Sequence, residues 1–228
     1  MKPSATGLGI LLFLLSFLGS APARAEWYVA AQAGATLPQP LTNIDETKIP
    51  FPSSPSGTKV SDLALKSAIM YGAKVGYYFD SVKWLGIETE VFRASPNVKQ
   101  QSVTETPPGG PSTTEVKPGA NLIVTTVALN LVARAQLGSV EPYVGVGVAG
   151  FLAQLNLVNR NGLPPLSISS GRPGLNTQLG LRYRLNERLA FFGEWKFNYS
   201  RFTFDSPAII HATYEVHHFV VGVGYHFW

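Results

Sequence analysis

The last ten residues of the chain, FVVGVGYHFW at positions 219–228, alternate between two kinds of side chain. Every second residue is apolar, and the series begins and ends on an aromatic ring: Phe219, Val221, Val223, Tyr225 and Phe227. The residues between them are mostly small or polar. A period of two predicts a β-strand with two different faces. An apolar face with aromatic ends is typical of a strand that crosses a bilayer in a barrel wall, although a half-buried strand of a soluble protein would alternate in a similar way.

The composition favours a membrane barrel over a soluble domain. Only 14% of the residues are charged, yet beyond the N-terminal region no run of about 18 apolar residues predicts a membrane helix. A barrel with an apolar outer face and a polar interior accounts for both features. The chain has no cysteine, which excludes disulfides and thiolate metal sites. The formal net charge of +4 is small, and it gives no reason to expect nucleic acid as a partner.

Residues 1–25 have the features of a cleaved secretory signal peptide. A positive start at Lys2 precedes an apolar core at residues 9–18, and Ala23 and Ala25 form a small-x-small cleavage box. An uncleaved N-terminal anchor is the alternative. Cleavage after Ala25 would leave a mature barrel domain of residues 26–228.

Eight segments of the mature chain alternate and are long enough to cross a bilayer, which takes about 9–11 residues in a tilted strand. They are residues 27–35, 66–79, 84–94, 121–136, 142–152, 175–185, 189–199 and 213–227. Eight is an even number, as in bacterial single-chain barrels. The sequence therefore predicts an all-β fold: an eight-stranded antiparallel transmembrane β-barrel.

The connections between these segments are alternately long and short. The long ones are residues 36–65, 95–120, 153–174 and 200–212, and the short ones are residues 80–83, 137–141 and 186–188. Of the 17 prolines, 14 lie in the long connections, as expected because proline removes a donor from the strand ladder. Long loops at one end and tight turns at the other are typical of outer-membrane barrels, whose long loops are extracellular.

If the apolar faces point to lipid, the charged residues of the strands point into the barrel. They are Lys74, Glu88, Glu90, Arg134, Arg182, Arg184, Glu194 and Lys196. Eight strands leave an interior just wide enough for side chains to fill, and buried charges must be paired. The short turns set Lys74 opposite Glu90 and Arg182 diagonal to Glu194, so we predict an ion network that plugs the lumen. The alternative is a narrow channel in which these charges flank water.

Three motifs could indicate cofactor or metal chemistry. Residues 145–150, GVGVAG, fit the dinucleotide pattern, but they alternate as a strand and no helix follows. His217 and His218 are neighbours on a strand and therefore face opposite sides. His218 and His226 share a face but lie roughly 26 Å apart along the strand. We predict no cofactor and no metal site.

The last long connection holds the one candidate cluster for hydrolysis. His211 could act as a base for Ser200 or Ser206, with Glu215 nearby. Loop residues in solvent are the simpler interpretation, and we predict no catalytic site.

The chain resembles the eight-stranded OmpA/OmpX-type barrels of Gram-negative outer membranes, including the opacity-porin-like group. The segments that carry the resemblance are the cleavage box, WYV at 27–29, PYVGVG at 142–147, GEW at 193–195 and GVGYHF at 222–227. The resemblance implies location in the cell outer membrane and contact with outer-membrane lipids and lipopolysaccharide. It also implies a C-terminal signal for the barrel-assembly machinery, formed by Phe219, Val221, Val223, Tyr225, Phe227 and Trp228. The family usually ends on the outward aromatic residue, so Trp228 is one residue extra.

The function that this resemblance implies is a surface one. We expect a structural or adhesin-like protein that contacts host or other extracellular ligands through its long loops. No peptidoglycan-binding domain follows the barrel in this sequence, so a cell-wall tether is not expected. The alternatives are a narrow porin-like channel for small solutes and a lipid A-modifying enzyme built on the loop histidine.

Overall fold

The structure is a computed structural model that describes residues 26–48, 58–157, 166–204 and 209–227. The predicted signal peptide with Ala23 and Ala25, the serine at 206 and the terminal Trp228 lie outside the described residues.

Eight long strands form a closed barrel. They are β1 (Glu26–Pro38), β4 (Ala68–Tyr78), β5 (Leu85–Ala94), β8 (Ala120–Arg134), β9 (Val140–Leu157), β10 (Leu166–Arg184), β11 (Leu189–Phe204) and β12 (Ile209–Phe227). Each pairs antiparallel with the next, and β1 pairs with β12 to close the wall. The predicted eight-stranded antiparallel barrel is therefore confirmed.

The first and last strands meet along their whole shared length. Trp27 lies opposite Phe227, Val29 opposite Tyr225, and Ala35 opposite Phe219. Closing the barrel in this way leaves no unpaired edge at membrane level, where exposed backbone groups would find no water.

The two faces of the wall have opposite chemistry, as period-two alternation requires. Outward side chains such as Leu129, Val148 and Val221 are exposed, whereas the inward Lys196 and Asn198 are completely buried. At the end with the short turns, outward aromatic rings form a girdle of the kind that marks a membrane interface: Trp27, Tyr77, Tyr183, Phe191, Tyr225 and Phe227.

Two connections predicted as loops contain further strands. They are β2 (Thr42–Lys48), β3 (Thr58–Val60), β6 (Gln101–Thr106) and β7 (Thr113–Lys117). Together they continue from β12 as a sheet beyond the barrel, in the order β12, β2, β3, β6, β7. These segments are short and largely polar, so they lack the apolar alternation on which the prediction depended.

The other two long connections are also shorter than predicted. The β9–β10 hairpin stays paired up to Leu157 and Leu166, and the β11–β12 hairpin up to Phe204 and Ile210. Pro173, which was predicted to lie in the connection between β9 and β10, lies inside β10. The ladder from β10 to β11 ends one residue away, at Gly174 opposite Ser200, because proline has no N–H to donate.

Candidate functional site

The barrel interior holds all eight of the charged side chains predicted to face inward. They come from β4, β5, β8, β10 and β11, and all except Arg184 are almost fully buried. Two groups can be distinguished along the barrel. We call them the central cluster and the turn-side cluster.

The central cluster consists of Lys74, Glu88, Glu90, Glu194 and Lys196. The Nζ of Lys74 lies 2.8 Å from Glu194 and 3.3 Å from Glu88. The Nζ of Lys196 lies 2.5 Å from Glu90 and 2.6 Å from Glu194. Glu194 therefore bridges both lysines, and strands that are not neighbours in the wall are joined across the lumen.

Three carboxylates face two lysines in this cluster, and neutral donors meet the excess negative charge. The Tyr143 hydroxyl donates to Glu194 over 2.7 Å, and the Gln178 amide donates to Glu88 over 2.8 Å. Glu90 accepts from the amides of three further inward residues: Gln32, Asn130 and Asn176. Buried carboxylates are tolerated when their lone pairs are satisfied in this way.

The turn-side cluster consists of Glu26, Arg134, Glu141, Arg182 and Arg184. The guanidinium of Arg182 lies 3.3 Å from Glu141, and that of Arg134 lies 3.5 Å from the same carboxylate. Glu26 pairs with Arg134 and Arg184. This cluster has one cation in excess, so the two clusters together balance five carboxylates against five cations.

Aromatic rings pack against the arginines of the turn-side cluster. The guanidinium of Arg134 lies 3.6 Å from the centre of the Tyr78 ring, and that of Arg182 lies 4.8 Å from the Tyr28 ring. The Tyr28 ring occupies the space beside Gly76, where a Cβ atom would collide with it. A residue without a side chain is therefore required at Gly76 to let the ring lie across the lumen.

A hydrogen-bonded chain lies on the loop side of the central cluster. The His218 ring lies 2.9 Å from the Thr36 hydroxyl and 2.9 Å from the Asn198 carbonyl. The Asn198 amide donates in turn to Asn176 over 2.6 Å. Both ring nitrogens of His218 are thus engaged inside the barrel.

Beyond this chain, the loop-side interior is mainly apolar, although Thr126, Ser170, Ser200 and Thr213 are also buried there. We call its buried apolar residues the apolar layer: Leu65, Val98, Ala120, Leu122, Val124, Ala128, Ala149, Phe151, Ala153, Phe202, Tyr214 and Val216. The interior thus changes from charged to amide-rich to apolar along the barrel axis.

The motifs considered for other chemistry are separated by the fold. Residues 145–150 lie within β9, in the middle of the wall. His218 faces the lumen, while His217 faces outward and stacks on Trp195 with ring centres 5.7 Å apart. In the described part of the chain, no group of three or more His, Cys, Asp or Glu side chains could hold a metal ion.

The candidate hydrolase residues face opposite sides of the wall. Ser200 is buried and donates to the Pro173 carbonyl over 3.1 Å. His211 is exposed and lies 3.1 Å from the Thr203 hydroxyl. The histidine therefore has no access to Ser200 as a nucleophile.

Two acidic residues of the interior were not among the predicted site residues. Glu141 lay in a predicted turn, and Glu26 directly follows the cleavage box. Each shares the inward parity of its strand, Glu141 with Tyr143 and Glu26 with Tyr28. Extending each predicted strand by a single residue would have placed both carboxylates in the lumen. Among the described residues, no helix is long and apolar enough to span a membrane.

Comparison with known proteins places the chain in a family. The model of the outer membrane protein β-barrel domain family matches residues 10–227. No curated protein matches the sequence.

Three solved structures show the same architecture. Neisserial surface protein A, from Neisseria, aligns with a TM-score of 0.54 at 12% identity, over 88% of this chain and 97% of its own. OprG from Pseudomonas aeruginosa aligns with a TM-score of 0.52 at 19% identity, over 90% and 97%. A major outer membrane protein from Thermus thermophilus aligns with a TM-score of 0.51 at 16% identity, over 89% and 99%. At these identities the likeness is one of fold. With a family match over nearly its whole length, the chain belongs to the outer membrane protein β-barrel domain family and is a protein of the outer membrane.

Proposed function

We propose that this protein is a non-conducting surface barrel that binds extracellular ligands through the sheet formed by its long loops. The observation that carries the proposal is the filled interior: two ion clusters whose charges balance together, an amide chain and an apolar layer follow one another along the axis. No enzymatic activity is part of the proposal.

The interior opposes conduction for two physical reasons. At successive levels of the interior, Lys196, Asn198 and Phe151 have no exposed surface. Opening a path for ions would break several ion pairs at once, and each unpaired buried charge costs several kcal/mol. An ion would then have to cross the apolar layer, where it would be desolvated.

In the part that the structure describes, the long loops present a defined surface. The β6–β7 hairpin is held by Lys117, which lies 3.2 Å from Glu105 and 3.0 Å from Glu115, and by a 2.8 Å hydrogen bond between Thr104 and Thr114. Within it Val116 is 65% exposed. Burial opposes the charged form of Lys117. Its hydrogen bonds to Glu115 and Glu105 outweigh this effect and raise the pKa of the lysine.

Conductance of the protein in planar bilayers tests the closed lumen. We expect protein purified from outer membranes to give no steady conductance after a gel shift on boiling confirms that the barrel is folded. A double variant, Leu122→Ser with Phe151→Ser, changes only the apolar layer and leaves both ion clusters in place, so it should also give no steady conductance. A steady, ion-selective conductance of the natural protein would contradict the proposal and support a narrow channel.

Binding of cells to host and matrix surfaces tests the role of the loops. Replacing residues 101–117 by a short Gly-Ser linker removes the β6–β7 hairpin and leaves the barrel strands intact. We expect bacteria that carry this variant to lose attachment that the natural protein confers. Equal attachment by both, at equal surface amounts, would contradict the adhesin-like role.

We also propose that residues 1–25 are removed on export and that residues 219–228 direct assembly. Support comes from Glu26, whose carboxylate is bound in the turn-side cluster immediately after the cleavage box. Mass spectrometry of the outer-membrane protein should give a chain that begins at Glu26. A chain that begins at Met1 would show an uncleaved anchor instead.

A further inference from the structure

A pocket of about 370 Å³ lies on the outward face of the barrel wall, near the end with the long loops. Four neighbouring strands, β5, β8, β9 and β10, contribute to it. Its lining is mixed: Arg93, Thr125, Gln154 and Ser169 are polar, and Ile123 and Leu152 are apolar. Because the outward face of a membrane barrel meets lipid, a polar pocket there needs an explanation.

The strand register arranges these residues in two adjacent rows. Arg93 pairs with Thr125, Thr125 with Leu152, and Leu152 with Gly171. One step nearer the loops, Ile123 pairs with Gln154 and Gln154 with Ser169. Side chains opposite each other in an antiparallel ladder are about 5 Å apart. The arginine and three uncharged polar side chains are therefore held on a rigid part of the wall.

Arg93 stands out among the arginines of the barrel wall. Its side chain is exposed and has no hydrogen bond or ion pair with any described residue. Arg134, Arg182 and Arg184 are all paired with carboxylates, and even the exposed Arg201 donates to the Tyr199 hydroxyl over 3.0 Å. Among the residues that the structure describes, no acidic side chain lines the pocket, so the charge of Arg93 is uncompensated.

The position of the pocket along the barrel places it at the level of lipid headgroups. On the side away from the loops, the next outward row is Val91, Val127, Gly150 and Pro173. This row is apolar and begins the belt that faces acyl chains. Toward the loops the outward residues become polar, as at Gln154 and Ser169. The pocket thus lies where the apolar belt ends at the extracellular side.

We propose that this pocket binds a phosphate group of lipid A in the outer leaflet, with the acyl chains against Val127 and Gly150. The planar guanidinium of Arg93 can donate two parallel hydrogen bonds to phosphate oxygens. The hydroxyl of Thr125, which lies opposite Arg93 in the ladder, can donate a further bond to the same group. Lipid A is the occupant that matches both the charge and the depth, because it presents phosphate at the headgroup level of the leaflet that surrounds the loop end.

Gly171 keeps the pocket open. A Cβ atom at this position would meet only the side chain of Leu152, at 3.3 Å. A larger side chain would extend beside Leu152 and narrow the pocket at the end away from Arg93. The pocket can therefore be narrowed from the side without touching the arginine.

The test compares lipid A binding by two arginine variants of the full protein purified from outer membranes in detergent. Arg93→Gln removes the unpaired charge, and Arg201→Gln removes another exposed outward arginine elsewhere on the wall. We expect bisphosphorylated lipid A to bind Arg93→Gln at least about tenfold more weakly, the change that loss of a charged hydrogen bond gives. Binding to Arg201→Gln should match the natural protein. Dephosphorylated lipid A should not distinguish the two arginine variants.

A second variant and a competitor make the test decisive. Gly171→Leu retains Arg93 but narrows the pocket beside Leu152, and it should also weaken binding of bisphosphorylated lipid A while the boiling-dependent gel shift persists. Equal binding by Arg93→Gln and the natural protein would overturn the proposal, and so would an equal loss in Arg201→Gln, which would indicate only a general positive surface. Release of lipid A by millimolar inorganic phosphate would assign the pocket to a soluble anion and overturn the lipid assignment. None of these outcomes depends on the proposed function of the loops.

Discussion

Lys74 on β4 and Glu194 on β11 form a buried 2.8 Å ion pair although 120 residues separate them in the chain. In the strand ladder Lys74 lies opposite Glu90, but its ammonium group binds Glu194 and Glu88 instead. Side chains of strands that are not neighbours meet in the lumen because the wall is closed and narrow. The hairpin accounts for the contact of Lys74 with Glu88, and closure of the barrel adds the pair with Glu194.

The first prediction concerns removal of one cation from the central cluster. Lys74→Met leaves three buried carboxylates with Lys196 as the one remaining lysine. We expect this variant to lose about 3–5 kcal/mol of unfolding free energy, because breaking a buried pair leaves an uncompensated charge. Urea-induced unfolding in lipid vesicles, followed by tryptophan fluorescence, measures the change.

Two further variants test whether the lost ion pair causes the destabilisation of Lys74→Met. Lys117→Met removes a partly exposed cation from the β6–β7 hairpin, where ion pairs contribute about 1 kcal/mol or less. Lys74→Met combined with Glu88→Gln restores the balance of charge and should be less destabilised than the sum of its single changes. Strict additivity of the two changes would show that Lys74 acts through packing alone.

The second prediction compares two glycines that face opposite sides of the wall. At Gly76 an added Cβ would collide with the Tyr28 ring, whereas at Gly193 nothing lies within 4 Å. Gly76→Ala should therefore destabilise the barrel by about 1–3 kcal/mol, as overpacking does. Gly193→Ala should change the stability by no more than about 0.5 kcal/mol.

Thermal unfolding in the same detergent, read from the boiling-dependent gel shift, compares these two variants. Equal midpoints for Gly76→Ala and Gly193→Ala would show that the lumen is looser than the packing of Tyr28 indicates. A lower midpoint for Gly193→Ala alone would show that Gly193, and not Gly76, faces the packed interior.

Period-two alternation was sufficient to predict the barrel and the inward position of residues such as Lys74 and Arg182. It could not predict which charges meet, because pairs such as Lys74 with Glu194 depend on closure of the wall. Nor could it find the apolar layer. Around Leu122 the inward face is apolar, whereas the outward face mixes Ile123 with Asn121 and Thr125, so the rule that the apolar face meets lipid fails there.

Strand ends and loop strands were missed for a different reason. Glu141 lies beyond the apolar part of its strand, where hydropathy no longer marks the inward parity. Pro173 was assigned to a loop because proline interrupts a ladder, but β10 still pairs with β9 on its other edge. The strands β6 and β7 pair through polar side chains, and polar segments of this length resemble loops in sequence.

The third prediction tests which face meets lipid. Leu129 is 54% exposed on the outward face of β8 and belongs to the apolar belt. Leu129→Arg should cost about 2–4 kcal/mol in a bilayer, the penalty for arginine on the lipid face near the membrane centre. Val116→Arg, at an exposed position of the β6–β7 hairpin, is the matched control and should be nearly neutral. Unfolding in lipid vesicles measures both, and a neutral Leu129→Arg would contradict the assignment of the outward face to lipid.

The last prediction separates Phe227 from Trp228 in the proposed assembly signal. Phe227 lies opposite Trp27 at the closure of the barrel and stacks near Tyr225, with ring centres 6.4 Å apart. It also continues the outward series from Phe219, so it holds the place of the final aromatic residue in related barrels. Phe227→Ala should lower the amount of folded barrel in the outer membrane several-fold, whereas Trp228→Ala should leave it unchanged. Gel shift on boiling of outer-membrane fractions measures the amount, and refolding of the purified Phe227→Ala variant in detergent separates assembly from stability. If Trp228→Ala alone blocks assembly, the signal ends at Trp228 and its register is shifted by one residue from the outward face.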